Sequence, residues 1–573
     1  MMLERLRSKH TPALNLFFFT LKKSLPLMLL SLAFMALVNP GLLLSWLENT
    51  LVGYPPREPV DLSEMTTVIG IGTTAATAAL SMLFCLINFS YLYKKPAGDV
   101  FHALPISRTK LLLSRYFASV LPALAPALLS YVSLSLVCLS DRVIGDYNYI
   151  WSHAALNLGI VLVMSAMTMV FLVCAGNTFS FVASLGGLNV GIPVLLYIGI
   201  ELCEYYLHGY VADYNAIYYC TPAFFAFSRY QLYDQGWDAY WLQLPWLLLI
   251  AAVCLLAAVL LYNRRKSEKS GETYAFKFVY YIVSVLLSII GAFAVGFIFG
   301  DGSINMTFWV FALVGGVLTA IAFGALTDKG FKTVKRSAIL GGCAYVLLLV
   351  FTFGIILDIT GYEKRIPQAE DVREVTVSVP YGNMPDVVLS DAKDVVALHE
   401  AVLDPYWSET SYTGGTVEFT YELKSGAIMK RRYNLQTEKA QIAYYKLLLN
   451  KEYQQQIIKP FEDLGLDPAW NASYGVDYYG VDKEASIQIS KEEAIRILTL
   501  YYEELEAVGV TRHLNHTFND SIYLHGFANK FIDGDTESVF YESANMSLSI
   551  DGLPRLQAYI AELVDGQTVD VEK

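Results

Sequence analysis

Residue types able to do chemistry recur at a few places in this chain, and their spacing decides what each can do. "HEAVL", from His399, opens like a zinc-protease helix, in which two histidines one turn apart hold the metal and a glutamate serves as base. Leu403 stands where the second histidine has to be, so the two-ligand face is missing. "RHLNH" sets His513 and His516 three residues apart, with Asp520 and His525 downstream. Those are metal-ligand types at a spacing that fixes no geometry, and no metal is assigned to them. "DGDTE", from Asp533, alternates acids but lacks the glycine and closing glutamate of a calcium loop. There is no G-x-S-x-G nucleophile elbow and no G-x-x-x-x-G-K-[ST] phosphate cradle. The expectation is a chain that is not itself an enzyme, with no catalytic residue and no cofactor of its own.

More telling is "KKPAGDVFHALPISRTKLLLSR", 94–115, which puts five basic side chains, Asp99, His102 and Pro105 between two of the oiliest stretches. Asp99 can cap a short helix, Val100, Phe101 and Leu104 give it an apolar face, and Pro105 ends it. Ser107 then caps the following helix, whose first turn carries Arg108 and Lys110. Such an amphipathic turn and a half has two uses: its bases hold lipid phosphates, or its exposed Phe and Leu enter a groove on a partner. Two acids, Glu201 and Glu204, lie one turn apart at the end of another apolar run. They are either part of a transport pathway or an interfacial pair reaching water. Asn189 and Pro193, among Gly186, Gly187 and Gly191, mark the same run as one able to bend or pack closely, as do Pro122 and Pro126 in an earlier one.

The elements that must position these residues are written for two solvents. Of 573 residues 55% are hydrophobic and 16% charged, where soluble domains carry about 25% charge. From Thr360 onward there are 35 acids and 19 bases; subtracting these from 53 and 41 leaves 18 acids and 22 bases before it. The first part suits lipid and the second water. Seven cysteines at 85, 138, 174, 203, 220, 254 and 343 all fall in the first part and form no C-x-x-C pair, against a disulfide framework or zinc ribbon.

Runs of roughly 20 apolar residues are needed to cross hydrocarbon as a helix. Nine are present, at 25–46, 66–91, 111–139, 154–175, 181–203, 241–262, 278–299, 307–327 and 338–358. "TPALNLFFFTLKK" before them reads as a surface helix. Basic residues favour the cytosolic side of short loops. With a cytosolic N-terminus, 19 of the 22 bases before Thr360 fall inside and only Arg57, Arg142 and Arg229 outside. Nine crossings then leave the last 214 residues outside the membrane. The aromatic-rich 204–241 reads as an outer aromatic belt with a turn at Thr221–Pro222 or as an exit surface for an amphiphile.

The last part reads as an α+β domain. "REVTVSV" alternates as a strand and "GTVEFTYEL-KSGA-IMKRRYNL" as a hairpin. "SDAKDVVALHEAVL" is a helix with Ser390 as N-cap, "TEKAQIAYYKLLLN" a second, and "SKEEAIRILTLYYEELEAV" opens with Ser490 and Glu493 at capping-box spacing. Two further strands and a closing helix follow, and no internal repeat is visible. The expected layout is a six-span domain at 1–262, three further spans at 263–359 and a water-soluble domain at 360–573.

"GDVFHALPISRTKLLLSRY" resembles the loop between the second and third spans of bacterial ABC-2-type exporter permeases, where Asp, His, Leu-Pro and Arg recur close together. In that family the segment is the coupling helix that fits a cleft of the ATPase subunit. The resemblance marks Asp99, His102, Leu104, Pro105 and Arg108, and Phe101 joins them as the apolar contact. It covers about the first 265 residues; the later spans and domain resemble an extended subgroup of such permeases with an uncharacterised C-terminal domain. It implies a permease subunit in a bacterial plasma membrane, all-α and ABC-2-like over its first six spans, with an extracytoplasmic C-terminal domain. The implied partners are two ATPase copies holding ATP and magnesium, a second permease, identical or not, and membrane lipid, with no nucleic acid. A hydrophobic peptide, drug or lipid-like molecule suits such an exporter. The other readings are a sensor or resistance module whose outer domain binds an antimicrobial-like peptide, and a polytopic membrane enzyme.

Overall fold

The computed structural model describes residues 12–53, 60–61, 63–139, 143–144, 147–230, 237–328, 330–379, 386–403, 416–435, 437–464, 471–479, 484–509, 521–531, 539–550 and 552–566. Among them nine helical stretches are long and apolar enough to cross a membrane: Pro12–Met35, Thr66–Tyr93, Arg108–Val137, Tyr147–Cys174, Thr178–Tyr206, Tyr240–Arg264, Lys277–Phe299, Met306–Thr327 and Phe331–Ile356. Each overlaps one expected span, which makes this a multi-pass membrane protein. The helices are α1 (Pro12–Gly53), α2 (Ser63–Phe89), α3 (Lys95–His102), α4 (Arg108–Val137), α5 (Tyr147–Cys174), α6 (Thr178–Asn189), α7 (Gly191–Tyr206), α8 (Pro222–Ser228), α9 (Trp237–Arg264), α10 (Lys277–Phe299), α11 (Met306–Thr327) and α12 (Val334–Ile356).

Two expectations change here. The surface helix and first span are one helix, α1, of 42 residues. At 1.5 Å per residue that is about 63 Å, twice the hydrocarbon thickness. The fifth span is two helices, α6 and α7, parted at Val190. Pro193 has no amide hydrogen to give the carbonyl of Asn189, and regular bonding restarts with Val194 N donating to Val190 O at 3.1 Å.

The chain forms two compact units, Met1–Glu201 with Asp213–Thr352, and Leu202–Ala212 with Phe353–Lys573. The boundary expected at 262/263 falls inside the first unit. Helix α5 is its central post: 78% of its most apolar window is buried, against 17% for the span in α9. Leu156, Ile160, Val163, Ala166 and Met169 are closed off all round, as a helix apolar on every face must be. On α9, Leu249, Val253, Leu256 and Leu260 recur at helical spacing and stay exposed, a lipid-facing stripe. Where α10 meets α11, a Cβ on Gly315 would lie 2.6 Å from Gly291 O, so glycine is what lets these backbones approach.

The second unit carries strands β1 (Val372–Ser378), β2 (Val387–Leu389), β3 (Thr416–Leu423), β4 (Ile428–Asn434), β5 (Asn471–Tyr479), β6 (Glu484–Ile489), β7 (Ser521–Phe531) and β8 (Val539–Ser549). Its helices are α13 (Lys393–Val402), α14 (Glu438–Leu448), α15 (Lys451–Asp463), α16 (Lys491–Val508) and α17 (Pro554–Gly566). The two four-stranded antiparallel sheets have orders β2-β1-β3-β4 and β6-β5-β7-β8. Each half runs strand, strand, helix, strand, strand, helix, with the same neighbours. The domain is therefore a tandem structural repeat, correcting the expectation of none, because the topology recurs without a recurring sequence. Both halves share one apolar core, with Val375, Phe419 and Tyr421 in the same cluster as Val476, Leu524 and Met546. The capping box at Ser490 and Glu493 is present. Ser390 is not the cap of α13, which Ala392 precedes; its hydroxyl donates to Glu452 instead.

Candidate functional site

Helix α3 begins after Lys94, with Pro96 in its first turn where no amide bond is lost. Asp99 therefore lies mid-helix rather than capping it, and its carbonyl accepts from Ala103 N at 3.0 Å. The chain then passes Pro105 to Ser107, whose hydroxyl accepts from Lys110 N at 3.4 Å and caps α4 as expected. The apolar face points the other way from expectation. Phe101 and Leu104 pack against the core of the span bundle, because the ends of the spans offer them more apolar surface than solvent does. The exposed side is Lys95, Asp99, Val100 and Ala103, with Val100 59% exposed.

Beneath α3 lies Arg115, 2% exposed. Its guanidinium sits 4.2 Å from the ring centroid of Phe101 and 4.5 Å from that of Tyr91, and the two rings are 4.7 Å apart. Its Nε and Nη1 have no hydrogen-bond partner. A planar cation between aromatic faces holds α3 to α4 through stacking. Tyr91 in turn shares a 2.9 Å hydroxyl contact with Tyr262 of α9.

The linker after α9 closes the site. Arg108 Nη1 donates to Arg265 O at 2.8 Å, Asn263 Nδ2 donates to Thr109 Oγ1 at 3.2 Å, and His102 Nδ1 is 3.3 Å from Ser267 Oγ. Burial pushes the His102 imidazole below its ordinary range, and the Arg108 and Arg265 charges add to this. Arg265 is buried and donates to Val173 O, Ala175 O and Leu172 O at 2.6, 2.7 and 3.2 Å and to Leu92 O at 2.9 Å. These are carbonyls at the ends of two helical stretches, which lack intrahelical donors, and one guanidinium carries enough N–H groups to serve both. One residue thus ties the ends of spans two and four to the end of span six.

Side-chain and backbone bonds draw the basic segments of the first unit to one end. Ser24, beside Lys22 and Lys23, accepts from Asn88, which also donates to Ser119 of α4. Leu92 and Ala175 meet Arg265, Gly176 pairs with Thr273, and Thr273 donates to Asp328 at 2.9 Å. A polar cavity of about 320 Å³ at this end is lined by Asn177, Thr273, Lys277, Asp328 and Arg336 among others.

The pathway candidates are elsewhere and do not converge. Asn189, the last residue of α6, is mostly buried and donates Nδ2 to Leu185 O at 2.8 Å. Pro193 lies in the first turn of α7. Glu201 accepts from Tyr214 OH at 2.8 Å in an exposed contact, and Glu204 is exposed; both fit the interfacial reading. Among the tempting metal residues, His399 is enclosed: Nδ1 lies 3.2 Å from Tyr421 OH and Nε2 2.9 Å from Tyr433 OH, so both ring nitrogens are taken. His525 lies 3.6 Å from Asp477. His513, His516, Asp520 and Asp533 lie outside the described residues.

Sequence reasoning missed Tyr91, Arg115, Tyr262, Arg265 and Ser267. Arg115 carried a signal, a lone charge two turns inside an apolar run. Arg265 did not, since in "NRRK" nothing separates a buried arginine from a solvated one. Comparison with protein-family models, curated proteins and solved structures returns no match.

Proposed function

We propose that this chain is the permease subunit of an ATP-driven exporter of the ABC-2 type, worked by a separate ATPase that grips α3. The observation that carries the reading is the two-sided construction of α3. One side is exposed and mixed in character, Lys95, Asp99, Val100 and Ala103. The other is fastened to four spans through Arg115, Arg108, His102 and the Arg265 knot. A force on the exposed side reaches the span ends directly, which is the differential contact with two states that coupling requires. The clustering of basic segments at this end supports reading it as the cytosolic end, by the positive-inside rule, of a protein proposed for a bacterial plasma membrane with an extracytoplasmic C-terminal domain. Two ATPase copies carrying ATP and magnesium and a second permease, identical or not, complete the assembly. The fold class proposed for the first six spans is ABC-2-like, and the cargo a hydrophobic peptide, drug or lipid-like molecule.

The test is co-purification of the ATPase with the full-length chain. Val100→Asp with Asp99→Lys alters only exposed side chains, so the chain folds and loses the ATPase. Undiminished ATPase recovery with this variant overturns the proposal. A second reading, a peptide sensor, is favoured by one observation: Leu202–Ala212, which begins within the last turn of span five, belongs to the same compact unit as the C-terminal domain. A ligand on that domain then acts on span five, and the variant above leaves its peptide response intact.

A further inference from the structure

A cavity of about 300 Å³ opens beside the break in span five. Leu188, Asn189 and Ile192 line it from the two sides of the break, Met167 and Phe171 from α5, and Val253 and Ala257 from α9. Cys220, Thr221 and Pro222 close it, so the turn before α8 reaches residues in the middle of α9. Apart from Asn189 and Thr221 the walls are apolar, and Val253, 59% exposed, stands on the lipid-facing stripe of α9 at the rim.

Irregular backbone at membrane depth is tolerated where it is buried or lines a cavity, and broken helices are where membrane proteins place ligand sites. Here the break does something definite. Pro193 leaves the Asn189 carbonyl without the donor a continuous helix supplies. The Asn189 side chain donates Nδ2 to Leu185 O at 2.8 Å, which leaves its Oδ1 as an acceptor on a residue that lines the cavity. Thr221 Oγ1 already accepts from Phe224 N at 3.2 Å. The polar corner therefore holds two acceptors at Asn189, its Oδ1 and the carbonyl that Pro193 leaves without a donor, and the rest is hydrocarbon-like. A dry apolar cavity of about 150 Å³ takes one benzene, so this one has room for about twelve carbon atoms. That is one chain, not the two of a bilayer phospholipid.

We propose that this cavity is a binding site for a single-chain hydrocarbon ending in a hydrogen-bond donor, an alcohol or primary amide, with the donor at Asn189 and the chain running out past Val253. The ligand enters from the lipid side and donates to Asn189 Oδ1 beside the break. The site belongs to this chain alone and does not rest on an ATPase.

The experiment uses full-length protein in nanodiscs without any ATPase, and a photoreactive twelve-carbon alcohol bearing a mid-chain diazirine. Labelled peptides are mapped by mass spectrometry, with dodecanol and its methyl ether as competitors. Labelling saturates and falls on 167–171, 188–192 and 253–257, and dodecanol competes about fivefold better than the ether, the worth of one net hydrogen bond. Asn189→Leu abolishes that difference. Ala257→Trp fills the cavity and Val253→Trp blocks its rim, and each cuts labelling at least tenfold; the rim variant changes an exposed residue and does not depend on core repacking. Leu249→Trp, on the same stripe away from the cavity, leaves it unchanged. Unsaturable labelling, equal competition by alcohol and ether, or full labelling in Val253→Trp overturns the proposal. None of these results bears on ATPase association, and loss of that association leaves this binding untouched.

Discussion

Replacing Phe101 by Leu keeps an apolar side chain of similar bulk on α3 but removes the ring over which Arg115 sits at 4.2 Å. A desolvated cation on an aromatic face is worth about 2 kcal/mol. Arg115 keeps the Tyr91 ring at 4.5 Å, but it is 2% exposed with Nε and Nη1 unpaired, so water does not replace the lost face. Losing about 2 kcal/mol raises the population of undocked α3 by a factor of about 30. Hydrogen–deuterium exchange of the 95–103 amides in full-length protein reads that population directly, since local opening limits their exchange. Exchange in Phe101→Leu is expected to be about 30-fold faster than in the parent. Arg115→Met also removes a buried charge, so its own sign is not the test. The coupling is: in the Arg115→Met background, Phe101→Leu changes exchange by less than about threefold, because the partner is already gone. If Phe101→Leu costs the same factor with and without Arg115, the stack does not hold α3 and the rigid lever from α3 to the spans is lost.

Protonation of His399 is expected to make the C-terminal domain acid-labile. Burial, with the Arg431 charge adding to it, pulls the imidazole down to about 4, below its unfolded value of about 6.5. Stability is thus intact above about pH 6.5 and is lost as pH falls toward 4, by about 3 kcal/mol in all. A urea midpoint for the domain that stays level across that window, in the parent as in His399→Gln, contradicts this. Glu504, 2% exposed, accepts from Arg555 N and Leu556 N at 2.8 Å and so caps α17 from α16. Glu504→Ala strands two amides and lowers stability by about 2–3 kcal/mol, read by thermal melting; an unchanged melt refutes the cap. Gly209, at φ +78°, has Tyr433 ring atoms 2.4 Å from where a Cβ would sit. Gly209→Val is expected to open 202–212 to protease in intact vesicles, and persistent resistance shows the segment is not held there. Reporter fusions at Gly271 and Gly330 should be active in the cytosol and one at Gly426 only outside it; any reversal breaks the proposed orientation.

The nine spans were legible because length and hydropathy alone decide whether a helix crosses lipid, and the strands of the C-terminal domain because their burial alternates, as in Val372–Ser378 and Thr416–Leu423. The end of α4 was legible for the same local reason, Ser107 at a cap. What stayed hidden depends on tertiary contact. Phe101 and Leu104 look exposed in sequence because a short amphipathic helix shows which face is apolar, not what covers it. Arg265 and Arg115 counted as loop charges because charge patterning does not see depth. The repeat in the C-terminal domain escaped because strand order is a property of pairing, and α15, which lies between the halves, has no counterpart in the second half to keep a period. The break at Val190 was half visible in Asn189, Gly191 and Pro193, which marked the place but not the cavity beside it.

The layout along the sequence suggests a soluble domain tethered after the ninth span by one connection. The compact units say otherwise: the chain passes between them after Glu201, after Ala212 and after Thr352. The segment between the first two is short and firmly seated. Gly209 O accepts from Arg432 N at 3.2 Å, His208 N donates to Glu363 at 2.8 Å, and the His208 ring packs 5.1 Å from Tyr433. Arg431, stacked 3.7 Å over Tyr362, locks the strand that receives it. The segment that continues α7 thus belongs to the C-terminal unit, and α7 is part of the span interrupted at Val190. A helix already missing the backbone bond to the Asn189 carbonyl bends there at less cost than an intact one.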